Sequence, residues 1–74
     1  MNNPYFQLDD HVKDILAKYP ELADFMVSQG FSHLADPEFR KVVPITLREA
    51  LSHHNKDAES FQLEMIQVIK AHRE

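Results

Sequence analysis

Apolar and polar positions along the 74 residues alternate with helical spacing in several separate stretches. Val12, Ile15, Leu16 and Tyr19 recur at the interval that places side chains on one helical face. Asp9 or Asp10 can cap this first helix, and Asp10 is preferred because Lys13 and Asp14 then fall in its first turn. The helix must end near Tyr19, since the residue before Pro20 is pushed away from helical backbone. Pro20 to Gln29 is the second helix, opened by the proline and carrying Leu22, Phe25 and Met26 on one face. Gly30, the only glycine, can take the left-handed conformation that closes it, and Phe31 can then fold back on the same face.

Phe31 to Asp36 reads as a loop with Leu34 as its inward anchor. Asp36-Pro37-Glu38 is a helix start, with a capping carboxylate, proline at the first position and an acid in the first turn. Pro44 keeps that helix short, with Phe39, Val42 and Val43 as its apolar positions; a β-strand over Lys41 to Ile45 is the competing pattern, which Pro44 weakens. Thr46 and Glu49 have capping-box spacing and begin a fourth helix running to about His54, burying Leu47, Ala50 and Leu51. Ile45 and Ala50 are placed for a weak hydrophobic staple. After the polar break at Asn55-Lys56-Asp57, Asp57 can cap the last and longest helix, Ala58 to about His72. Phe61, Met65, Val68 and Ile69 share one side of it, while Leu63 and Ile66 lie well round from them and widen its apolar surface.

The expectation is an all-α fold, a compact orthogonal bundle of about five short helices. It forms one domain over 1–74, with an extended arm at 1–8 and a helical core at 9–72. Phe25, Phe31, Phe39 and Phe61 are core candidates, and the burial of Phe6 is open. So small a chain makes a marginal core, so a homo-oligomer or a protein partner is expected, with Leu63 and Ile66 as contact candidates.

Composition narrows the chemistry. The chain has no Cys, which removes disulfides, thiolate chemistry and cysteine-held metal centres. A formal net charge of -4 with no basic stripe argues against nucleic acid as a partner. No apolar run approaches the roughly 20 residues of a bilayer span, and the N-terminus does not read as a signal peptide. No membrane partner is therefore expected, and the cytoplasm is the default location.

Five histidines invite a metal hypothesis but show no repeated ligand spacing. His53 and His54, adjacent on a helix, point about 100° apart and read as a solvated helix end. His33, in the loop after the glycine, is the better contact candidate. Ser32 beside His33 is no triad, and Asp36 is accounted for by its cap. No catalytic residue and no cofactor is therefore assigned. Arg40, Lys41 and Arg48 are the only local basic concentration; placed side by side, Arg40 and Arg48 would receive a carboxylate or phosphate, and otherwise they would bridge to Glu38 and Glu49.

Val12, Ile15-Leu16 and Tyr19-Pro20-Glu21, followed by Phe25, Gly30-Phe31, Leu34, Asp36-Pro37, Arg40 and Thr46-Leu47 with Ala50, form a pattern. It resembles the DUF1858 type of small helical domain of unknown function, which occurs alone in bacteria and at the N-terminus of larger proteins. It is more distantly similar to the N-terminal module of di-iron proteins implicated in iron-sulfur cluster repair. The resemblance covers roughly residues 8–70 and implies a bundle of about five helices without a settled activity. One branch of that family carries a Cys-Xaa-Xaa-Cys pair; the matching positions here are His33 and Asp36, so its suggested redox chemistry does not transfer. The leading expectation is a non-catalytic interaction module that self-associates or docks to a larger protein. The alternatives are a small-ligand or metal sensor using the loop 30–36, with His33, Asp36 and Arg40 at hand, and, last, a weak enzyme or redox-accessory role.

Overall fold

A computed structural model describes residues 4–73. Among them five α-helices follow in order: α1 Val12–Lys18, α2 Glu21–Ser28, α3 Pro37–Val42, α4 Leu47–His53 and α5 Ala58–Arg73. The loop expected at Phe31 to Asp36 is a 3₁₀ turn over Ser32–Ala35 that buries Leu34. The radius of gyration, 11.1 Å, is that of a close-packed chain of this length. The part of the expected arm at residues 1–3 lies outside the described residues.

The helical faces pack as their spacing requires. Val12, Ile15, Leu16 and Tyr19 are buried from α1 and its C-cap, Leu22 and Met26 from α2 with Ala23 beside them, and Leu47, Ala50 and Leu51 from α4. Phe61 joins α5 to the rest: its ring centroid lies 5.3 Å from that of Phe25 and 5.6 Å from that of Phe31. Phe39 stands apart from this cluster, half-buried with its ring 5.8 Å from that of His33. Phe6 is buried, and Tyr5 meets the Tyr19 ring edge to face.

Two helix ends close in the same way. After α2, the Phe31 amide donates to the Met26 carbonyl and the Gly30 amide to that of Val27, with Gly30 at φ 106°. After α4, Lys56 donates to Leu51 and Asn55 to Ser52, with Asn55 at φ 54°. Both are Schellman stops, in which one left-handed residue lets the last carbonyls be satisfied. The first was legible from Gly30; at the second, Asn55 substitutes for glycine, since its short polar side chain tolerates that region.

The N-terminal arm corrects the expected start of α1. Asp10 does not cap it: His11 is the N-cap residue, and the Asp10 carboxylate instead accepts from the Gln7 amide at 2.8 Å. The competing interaction is an antiparallel bridge between His11 and Thr46. Across it the Val12 amide donates to the Ile45 carbonyl, while the amides of Leu47 and Arg48 donate to the carbonyls of Asp10 and Leu8 at 2.9 Å each. Thr46 Oγ1 accepts from the Glu49 amide, completing the expected capping box. The opening amides of α4 are thereby satisfied, two of them by the arm.

Further differences concern side chains. Val42 is 66% exposed, because α3 is only six residues long and turns Phe39 and Val43 inward instead. Pro20 is the N-cap residue of α2, one position before the expected place. On α5 the buried arc is wider than one face: Gln62 and Ile66 are buried beside Phe61, Met65 and Ile69, and Leu63 is left outside at 44% exposure. Gln62 Nε2 donates to the Ala58 carbonyl and its Oε1 has no partner among the described residues. The far end of α5 is fastened by Arg73, which bridges to Glu21 at 2.9 Å, donates to the Lys18 carbonyl and stacks over the Tyr19 ring.

Candidate functional site

α3 separates two clefts. None of its own residues is buried, so it works as a thin wall. On one side Phe39 and, just past the helix end, Val43 face a cleft of about 240 Å³. Its floor is apolar, made by the buried Phe31, Leu34, Val43 and Ala50, and its rim carries the exposed imidazoles of His33, His53 and His54. On the other side Pro37, Arg40 and Lys41 face a cleft of about 490 Å³ whose opposite wall includes Lys13, Asp14 and Leu16 of α1.

Local structure explains the imidazole rim. The Gly30 stop throws Phe31 and the 3₁₀ turn across the end of α2, which brings Phe31, His33 and Leu34 to the cleft. His53 is the last residue of α4, while His54 is already its C-cap, with φ -101° and ψ 9°. Both line the same cleft, although adjacent helical side chains stand about 100° apart. The His54 ring lies 4.1 Å from the Phe31 ring, centroid to centroid. Asn55 as a left-handed stop is the sequence signal that could have revealed this.

The other candidates disperse. Asp36 caps α3, its carboxylate accepting from the Glu38 amide at 2.9 Å. Arg48 pairs with Asp9 at 3.1 Å and not with Glu49, whose carboxylate is held by Thr46. Arg40 is half-buried, its Nε donating to the Leu34 carbonyl, so the two arginines are engaged separately. Leu63 is exposed on α5, whereas Ile66 belongs to the core and cannot meet a partner without unfolding part of it. Among the described residues no group of three or more His, Cys, Asp or Glu is placed to hold a metal ion, and no helix is long and apolar enough to cross a membrane.

Three carboxylates have displaced pKa values. Hydrogen bonds from the Thr46 amide and hydroxyl hold Glu49 below the usual carboxylate range, and those from the Ser60 hydroxyl and amide do the same for Asp57. At Glu21 burial pushes upward, but its own backbone amide and the Arg73 guanidinium outweigh this and leave it lowered. All three serve caps or helix fastening and none lines either of the two clefts.

The fold and its clefts define a small all-α bundle with a recess beside a short third helix. Its chain belongs to the family described as Domain of unknown function (DUF1858), which it matches over residues 6–61. The matched span contains α1 to α4 and the opening turn of α5. The rest of α5, with Met65 and Ile69, completes the core beyond it. No curated protein and no solved structure matches the chain.

Proposed function

We propose that this domain is a non-catalytic interaction module that docks to a larger protein through the cleft between the 3₁₀ turn, α3 and α4. The observation that carries this reading is an open apolar floor bordered by three imidazoles and the Phe39 ring. Such a recess suits one large apolar side chain from a partner segment, with imidazole N–H groups available to its backbone carbonyls. The cleft is small beside the roughly 300–1,000 Å³ usual for small-molecule sites, which favours a single anchoring side chain over a whole ligand.

A photoreactive phenylalanine analogue at Phe39 or His53, in cells expressing the full chain, tests the reading against the same analogue at Lys70 on α5. A discrete crosslinked partner from the cleft positions alone supports it. Equal labelling at all three positions, or none, rejects it. Self-association is the other form of the interaction hypothesis. Leu63 is its remaining exposed contact, and sedimentation equilibrium of Leu63→Glu against the parent protein separates the two forms.

A second reading, a small-ligand sensor, is favoured by one observation: Phe31, His33 and Leu34 of the loop 30–36 line the same cleft. His33→Ala would then remain folded and lose a saturable ligand titration that the parent protein retains.

A further inference from the structure

We infer that the second cleft, between α1, α2 and α3, is a binding site for a small amphipathic anion, a carboxylate on an apolar body, with the Arg40 guanidinium as its anchor. Three observations converge on it.

The first is the state of Arg40. In a chain with net charge -4 the other two arginines are paired, Arg48 with Asp9 and Arg73 with Glu21. Arg40 is half-buried and makes no ion pair among the described residues. A partly desolvated cation without a counter-charge is unfavourable unless something else supplies one.

The second is its orientation. Nε is committed to the Leu34 carbonyl, which fixes the guanidinium, while among the described residues no bond engages its two terminal nitrogens. Those nitrogens form the fork that receives a carboxylate bidentately.

The third is the cleft itself. It holds about 490 Å³, within the range of small-molecule sites. Leu16, Ala17 and Ala23 give it an apolar floor, and Lys41 and Lys13 add positive charge at its walls. Asp14 is the one carboxylate there and sits on the α1 wall, so an anionic head is directed to Arg40 and Lys41 on the α3 wall and its body to the floor. This site is distinct from the imidazole-rimmed cleft, and neither proposal depends on the other.

The test is a heteronuclear NMR titration of the full chain with 4-phenylbutyrate and, separately, its neutral amide. The expected result is saturable binding of the carboxylate that shifts the amides of Ala17, Arg40 and Lys41, with the neutral compound weaker by roughly tenfold or more, the size of a charge-assisted hydrogen bond. Arg40→Gln should lose that preference. Because Arg40 also supports the 3₁₀ turn, Lys41→Gln serves as the variant without a structural bond and should weaken the carboxylate about threefold, on the scale of an exposed charge. Equal affinity for acid and amide overturns the proposal, as do shifts confined to Phe31, His33 and His53, no saturable shift with either compound, or unchanged affinity in Lys41→Gln.

Discussion

The two clefts flanking α3 are built by opposite devices. The imidazole-rimmed cleft is framed by chain stops, with Gly30 delivering Phe31 and His33 to one wall and Asn55 closing the helix that carries His53. The basic cleft is framed by chain starts, with Pro20 and Pro37 on its walls at the heads of α2 and α3. A stop needs a left-handed residue, which few side chains tolerate, whereas a start needs only a fixed φ near -65° and a missing N–H. The apolar cleft should therefore be the more fragile of the two.

The largest expected effect is at the floor of the apolar cleft. Phe31→Ala removes a buried ring that touches Phe61 and His54 and should cost about 3–5 kcal/mol. A thermal melt followed by circular dichroism should show a domain near or below its folding threshold. A loss under about 1 kcal/mol would mean that the wall is not packed as described.

Gly30→Ala tests the stop itself. Nothing lies within 4 Å of an added Cβ, so the penalty is conformational, from φ 106°, and should be about 1–2 kcal/mol. An unchanged melting temperature would remove the stop from the account of the apolar cleft.

Thr46→Ala should cost about 1 kcal/mol by opening the capping box of α4. It also bears on acid stability. Glu21, Glu49 and Asp57 are all held below their ordinary values in the folded chain. Their stabilisation is complete above the ordinary carboxylate values of 4.5 and 3.8 and is lost as pH falls through the lower folded values. Denaturant midpoints should accordingly fall below about pH 4.5, and slightly less steeply in Thr46→Ala, where Glu49 loses the bond from the hydroxyl and keeps the one from the amide of residue 46.

Pro37→Ala, on the basic cleft, should lose only about 0.4–1 kcal/mol through greater freedom of the unfolded chain. Asn55→Gly should change stability least, by about 0.5 kcal/mol or less, because relief of the left-handed penalty and added unfolded-state freedom oppose each other. If the proline variant proved worse than Gly30→Ala, the ranking of the two clefts would reverse.

Much of this was legible because it is local. The stripe from Val12 to Tyr19, the Asp36-Pro37 start, the Thr46–Glu49 box and the Gly30 stop each depend on residues within a few positions. What escaped was set across the chain. Asp10 lost its capping role because the bridge to Thr46 is a contact between distant residues. Ile66 is inside and Leu63 outside because α5 packs against both α2 and α4, which buries a broader arc than one stripe. Val42 faces out because a helix stopped by Pro44 has too few turns for three inward positions. For the site, His33 was singled out and does line a cleft. His53 and His54 are exposed at the end of α4, as expected, and what the spacing alone did not show is that both also line the apolar cleft.

The bond from Val12 to the Ile45 carbonyl and the returns from Leu47 and Arg48 to the arm act as a clasp. They close a ring of chain that contains α1, α2 and α3, and with them every wall residue of the basic cleft and most of those of the apolar one. Closing a ring of that length costs entropy, and the cost is smaller once the helices inside it have already packed. The clasp should therefore be a late and cooperative event in folding, and amides at Val12, Leu47 and Arg48 should share one hydrogen-exchange rate. Trimming the chain at residue 10 would unfasten both clefts together, so the arm sets the shortest segment that can be moved into another protein with its sites intact.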